Sequence, residues 1–316
     1  MKQPGEAKCP KFRVDFLDDD GTAGYWEAEF NVFDRRCFNE VISIAGYEFC
    51  TKEESGHPVY QFQSPIKRKS FYRKIVFQYQ GSIFSRLRDD RLPDVFYQFS
   101  DFMCSTESVG LLSPARLRSR SRGTKKILGS GGKYLASLLF SLNAEKRQVI
   151  VSQLQKVFPR LQSFDIKLRQ GNYKQLIITE STRQGQVSLD ASHVSDCMLR
   201  LLAIVALLQT NREVILFEEL ENGINPEMLG FLLSALRESG KQIITTTYSP
   251  LLLNLLEDEV AKKGLHLVYK RPDGCSRCVN FFSIPTMAEK LDVMGPGEVY
   301  MDTDLVWTAV CVESRG

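Results

Sequence analysis

Val214-Ile-Leu-Phe-Glu-Glu219 is an apolar run that ends in two adjacent carboxylates. A strand apolar on consecutive positions is covered on both faces, as parallel sheets are, and it delivers its last side chains at the carboxyl edge where open α/β sheets hold ligands. The surroundings continue the pattern. Upstream, residues 195–208 form an apolar helical run opened by Ser195-Asp196. Downstream, 226–239 reads as a helix opened by Pro226, 242–246 as a second buried strand, and 251–256 as part of a further helix. Alternation of helix and apolar strand predicts an α/β fold whose parallel sheet is flanked by helices. The acid pair alone is a weak signal, because strands followed by acidic capping residues are common.

Toward the amino terminus the period changes. Residues 12–80 alternate apolar and polar at 12–16, 25–33, 41–49, 59–62 and 74–79, with Asp20-Gly21 as a hairpin signal, and this predicts an antiparallel meander. Phe96, Phe99 and Phe102 then repeat at helical spacing. Helical runs at 133–142 and 144–158 precede short alternating strands at 164–168, 175–179 and 186–189, and a closing hairpin is expected from 266–270 and 279–283. The expected division is an antiparallel β-rich lobe with a helical insertion over 1–125 and a parallel-sheet lobe over 126–310.

Composition sets bounds on the rest. The 316 residues are 43% hydrophobic with a net charge of +3, which fits a globular protein and does not by itself imply nucleic acid. No run approaches the ~18 apolar residues of a membrane helix, and Met1-Lys-Gln-Pro-Gly-Glu6 has no apolar signal core, so a cytoplasmic location away from membranes is expected. The eight cysteines are scattered and read as reduced thiols. Cys275-Ser-Arg-Cys278 has half the spacing of a zinc knuckle, but nothing nearby completes four ligands, and Asp273-Gly274 reads as a hairpin tip. His57, His193 and His266 are isolated, without metal spacing or a partner nucleophile, and read as structural.

The neighbours of the acid pair occur in a set order. Ser195-Asp-Cys-Met-Leu-Arg200 opens the apolar helix, Glu221-Asn-Gly-Ile-Asn-Pro226 follows the acids, and Gln242-Ile-Ile-Thr-Thr-Thr runs into Tyr248-Ser-Pro250. Together they resemble the signature Ser-Asp-Gly, Walker B Asp-Glu, Pro-Glu-Asn-Gly-hydrophobic-His-Pro and Thr-Thr-His-Ser-Pro segments of an ABC-type AAA-family ATPase of the RecF/OLD-like group. Leu128-Gly-Ser-Gly-Gly-Lys-Tyr-Leu-Ala136 resembles that family's Leu-Gly-x-x-Gly-x-Asn-Leu-Ala helix start. Met294-Gly-Pro-Gly-Glu-Val-Tyr-Met301 resembles its terminal Ser-x-Gly-Glu-Leu-Trp segment. The likeness runs from about residue 110 to 305; earlier residues match in strand pattern only.

The resemblance implies a P-loop NTPase-like ATPase head that binds ATP and Mg and hydrolyses ATP as a dimer. Glu219 would be the catalytic base, Glu218 would lie toward magnesium, and Tyr248 would contact the γ-phosphate or the attacking water. Ser195 and Asp196, at a helix amino terminus, would face the γ-phosphate held by the opposite subunit, with Asn222 and Gly223 at the subunit junction. The implied partners are a second copy of the chain, or another chain that supplies the phosphate loop. DNA, or a separate nuclease or effector, is a further candidate, because relatives can carry a Toprim nuclease after the ATPase lobe.

Departures from the family qualify that implication. No G-x-x-x-x-G-K-[ST] occurs in the 316 residues. At Gly129-Ser-Gly-Gly132-Lys133, Ile127 stands in place of the first glycine and Tyr134 in place of the hydroxyl, so this reads as a helix start. The first strand and the phosphate-loop helix are expected to be missing, which would leave apolar surface open. Glu218 replaces the Walker B aspartate, Cys197 the signature glycine and Tyr248 the switch histidine. The alternative is a non-catalytic pseudo-ATPase or gene fragment that acts as a dimerisation or partner-docking module. Arg116–Lys126, with four arginines and two lysines, and Ile66–Lys74 are basic stretches that could meet phosphate backbones, and solvated surface is the plainer reading of both.

Overall fold

The alternating period of the first hundred residues builds a meander. Strands β1 (Lys11–Leu17), β2 (Ala23–Asn31), β3 (Arg36–Ile44), β4 (Tyr47–Glu54), β5 (His57–Gln63) and β6 (Phe71–Lys74) pair in sequence order, each antiparallel to the next. The structure, a computed structural model, describes residues 10–17, 21–54, 57–65, 71–271 and 274–304. Met1–Glu6, Asp20, residues 66–70 of the second basic stretch, Asp273 and Leu305 lie outside these. The run expected at 41–49 is two strands, because Ala45 and Gly46 both take left-handed backbone (φ 51° and 76°) and join Ile44 to Tyr47 by a two-residue turn. The last run, expected at 74–79, leaves the sheet after Lys74. Helix α1 (Asp94–Ser105) packs Phe96 and Phe99 into a core with Trp26, Ile42, Phe49 and Phe84.

The chain divides into two units, Met1–Ser105 and Thr106–Gly316. The stretch 106–125, expected to lie in the first lobe, belongs to the second. Its strand β7 (Glu107–Val109) lies parallel to residues 215–217, and Lys125 N–H donates to Ser137 Oγ at 2.8 Å.

The second unit is centred on an almost wholly apolar helix. After α2 (Pro114–Leu117), α3 (Leu135–Ser141) and α4 (Ala144–Gln155) come the antiparallel strands β8 (Leu161–Arg169), β9 (Tyr173–Thr182) and β10 (Gly185–Asp190). Helix α5 (Asp196–Leu208) then buries every residue from Leu201 to Leu208. Strands β11 (Val214–Phe217) and β12 (Gln242–Thr245), joined through α6 (Leu229–Glu238), run parallel, giving the sheet order β12-β11-β7. β11 is buried as expected. β12 is not: it is an edge strand, and Ile244 is 49% exposed.

Helices α7 (Pro250–Asn254) and α8 (Asp258–Gly264) lead to a hairpin of β13 (His266–Lys270) and β14 (Ser276–Asn280). The second strand begins and ends three residues before the expected 279–283, because the Asn280 side chain accepts Ser283 N–H and turns the chain. α9 (Pro285–Leu291) and α10 (Pro296–Met301) complete the described chain. Among the described residues no helix is long and apolar enough to cross a membrane.

Candidate functional site

The carboxyl end of β11 turns sharply. Glu218 N–H donates to Val109 O at 3.1 Å, the last ladder bond to β7, and places the exposed Glu218 carboxylate beside Gly110. Glu219 then adopts left-handed backbone at φ 44°. A non-glycine residue is held there only when its surroundings over-determine it. The constraint comes from the end of β12: Thr246 Oγ1 accepts Glu219 N–H at 3.0 Å, and Thr246 O accepts Leu220 N–H. On the other side Asn222 N–H donates to Glu219 O, and its side-chain amide donates to Glu219 Oε2 at 3.0 Å. The second carboxylate oxygen of Glu219 accepts no hydrogen bond among the described residues.

The turn closes on α5. Gly223 has φ 70°, and a Cβ there would lie 2.6 Å from Arg200 Nε, so the backbone rests directly on the guanidinium. Arg200 Nε is buried without a hydrogen-bond partner among the described residues, and burial lowers the pKa of this group. Gly110, Arg200, Glu218, Glu219 and Asn222 line one small recess. The sequence signal for this contact is Arg200, the one basic residue of a mostly apolar helix.

The other expected residues divide between this turn and the helix end. Tyr248 comes to the turn through its backbone, donating N–H to Glu221 Oε1 at 3.2 Å, while its side chain is 75% exposed. Ser195 and Asp196 are exposed at the amino terminus of α5. Ser195 Oγ caps the helix by accepting Met198 N–H, and Asp196 accepts from Arg118. Cys197 turns inward: its thiol accepts Asn225 N–H and donates to Met228 Sδ, and burial pushes the thiol pKa up.

One of the two stretches with phosphate-binding appearance is filled by its own fold. At Gly132 a Cβ would meet Leu117 Cδ2 at 2.3 Å, at Gly131 it would meet Arg116 Cδ at 2.7 Å, and Gly132 and Tyr134 N–H already bond Gly129 O and Leu128 O. The segment is a packed lead-in to α3. In the basic stretch several arginines are engaged, although Arg116, Arg120, Arg122, Lys125 and Lys126 remain exposed. Arg116 donates to Ser130, Arg118 to Ala191 O, Val194 O and Asp196, and Arg122 lies over the Tyr173 ring.

A carboxylate without hydrogen bonds, exposed at a strand end, is a hard oxygen donor suited to Mg. Glu218 meets that description among the described residues. For the triphosphate, these 316 residues carry no lysine in a phosphate-loop context.

Comparison with known proteins places this site within a matched segment. Residues 110–254 match the family model described as "AAA domain, putative AbiEii toxin, Type IV TA system". No curated protein matches the chain. The SMC head domain from Thermotoga maritima is similar at 11% identity, with 76% of this chain and 73% of that chain covered and a TM-score of 0.36. A Pyrococcus furiosus Smc head domain with an extended coiled coil, bound to the C-terminal domain of ScpA, is similar at 11% identity, 86% and 80% coverage and a TM-score of 0.42. An SMC head bound to the C-winged helix domain of ScpA gives 13% identity, 82% and 73% coverage and a TM-score of 0.41.

Proposed function

Residues 110–254 match an AAA-domain family model, and from that likeness we propose that this segment is an ABC-type ATPase core and that the Glu218–Gly223 turn is one half of an ATP-hydrolysing site. Glu219 is the general base. Its Oε2 is held by Asn222, and Oε1 is left to take the proton of an attacking water. Glu218 holds Mg, which when bound offsets charge on the phosphates. Tyr248 lies toward the γ-phosphate. Ser195 and Asp196 act across a dimer on nucleotide held by the opposite subunit, with Asn222 and Gly223 at the junction. The phosphate loop comes from outside these 316 residues. The observation that carries the reading is the left-handed Glu219, fixed on three sides by Thr246 and Asn222 while its carboxylate stays half-open.

A second reading, that of a docking module without catalysis, is favoured by the filled Gly129–Lys133 loop and by Glu218, Cys197 and Tyr248 at the altered positions. The experiment is ATP hydrolysis by the full chain at saturating Mg-ATP beside Glu219→Gln. A slow rate that falls about 100-fold in the variant supports the base. Equal rates in the two proteins overturn it; absence of nucleotide binding at millimolar ATP is the result expected both of a half-site whose phosphate loop lies on another chain and of a docking module, and it directs the test to a partner chain.

A further inference from the structure

Glu221 has no part in the reading above, yet it makes the most consequential contact of the turn. Its Oε1 accepts Thr247 Oγ1 at 2.8 Å and Tyr248 N–H at 3.2 Å, while Oε2 is buried without a partner among the described residues. Burying a carboxylate with one oxygen unsatisfied is unfavourable, so the bonds on the other oxygen must fix something the fold requires. What they fix is the segment after β12. Tyr248 is 75% exposed, and its own N–H and the side chain before it are the groups that Glu221 takes.

The contact continues away from the site as a chain of bonds. Thr247 Oγ1 accepts Ser249 N–H at 3.0 Å, and Ser249 Oγ accepts Leu252 N–H at the start of α7. At the end of α7, Asn254 Oδ1 accepts Gly297 N–H at 2.7 Å and Glu298 N–H at 3.1 Å. α7 therefore has its first turn tied to the acid turn and its last tied to α10.

We propose that Glu221 is a positioning residue that clamps the Thr247–Tyr248 backbone to the acid turn, so that residue 248 is presented to Glu219 in one register and the two segments move together. The functional weight of this clamp rests on the reading that Glu219 and Tyr248 serve one site; the clamp itself does not.

The experiment uses amide hydrogen exchange of the full chain, resolved by NMR, without nucleotide. In Glu221→Ala the Tyr248 amide loses its acceptor and exchanges about tenfold faster, while Leu216 in β11 and Val205 in α5 keep their wild-type rates. Glu221→Gln retains Oε1 and restores slow exchange at Tyr248. The clamp is overturned by unchanged Tyr248 exchange in Glu221→Ala, or by acceleration that appears equally at Leu216 and Val205, which is the mark of general destabilisation. Should Glu221→Ala not fold, Thr247→Val removes the hydroxyl that donates to Glu221 and accepts Ser249 N–H, and leaves the carboxylate and its bond from Tyr248 N–H in place. Faster Tyr248 exchange in that variant with Leu216 unchanged supports the clamp, and no change at Tyr248 counts against it. Lack of ATP hydrolysis would remove Glu219's role and leave this measurement unaffected.

Discussion

Glu40 and Asp89 in the unit of residues 1–105, and Glu218 and Glu219 in the unit of residues 106–316, are carboxylates put to opposite uses. In the first, Glu40 is fully buried and its oxygens are taken by Ile83 N–H at 2.7 Å, Ser82 Oγ at 2.6 Å and Trp26 Nε1 at 3.2 Å. Asp89, 7% exposed, is closed by Tyr60 Oη at 2.6 Å and by Arg91 through both Nε and Nη2. In the second, Glu218 is exposed and Glu219 accepts one side-chain bond. A carboxylate whose lone pairs are met by its own fold holds that fold together. One left open at a strand end is available to something outside it.

The largest effect should come from breaking the closed kind. Glu40→Ala leaves three donors unmet in the core and is expected to cost about 3 kcal/mol or more, whereas Glu219→Ala should stay within about 0.5 kcal/mol. Urea unfolding followed by Trp26 fluorescence in a Trp307→Phe background measures the first, and circular dichroism the second. Comparable losses would erase the contrast between the units.

The pH dependence of the first unit comes next, and its two acids have opposite signs. The Arg91 guanidinium holds Asp89 well below the usual carboxylate range, so its contribution is complete above the unfolded value of about 3.9 and is lost as pH falls through the folded value. Burial raises Glu40 despite its three hydrogen bonds, so its contribution is complete below about 4.3 and diminishes as pH rises through the folded value. Asp89→Asn should therefore flatten the acid limb of the stability profile, and Glu40→Gln the fall on the neutral side. Profiles unchanged in both variants would contradict this assignment.

A smaller loss is expected where the open turn meets α5. Gly223→Ala strains a backbone at φ 70° and drives a Cβ to 2.6 Å from Arg200 Nε, for an expected cost of about 1–2 kcal/mol. Arg200→Ala removes the collision and leaves the φ strain, so the double variant should fall short of the sum by about 1 kcal/mol. Additive losses would mean that the turn and the helix are not in contact through this pair.

What could be read in advance follows the same division between local and distant causes. The meander, α1, α5 and β11 were legible because burial of a face imposes a period on neighbouring residues. β7 was not, since three residues carry no period and its pairing with residues 215–217 crosses about a hundred residues of chain. β12 was misread as buried because Ile243 and Ile244 look the same whether a strand is central or at the edge. In the site, Glu218, Glu219, Asn222 and Gly223 lie together because they are consecutive in the motif. The groups that hold them, Thr246 on Glu219 N–H and Arg200 under Gly223, come from other elements, and hydrogen bonding across 27 residues leaves no spacing to recognise.

The smallest effect tests whether the open turn is open at some expense to stability. Glu219 occupies left-handed backbone that disfavours most side chains by about 1 kcal/mol, and it adds a second negative charge beside Glu218. Asparagine tolerates that conformation and carries no charge, so Glu219→Asn should raise the stability of the second unit by about 0.5 kcal/mol while removing the proposed base. Thermal unfolding by calorimetry reads the change. A gain means that Glu219 is kept against the preference of the fold, as a residue retained for work on a ligand would be. A loss means that its bonds with Thr246 and Asn222 serve stability, and the turn then belongs with Glu40 and Asp89.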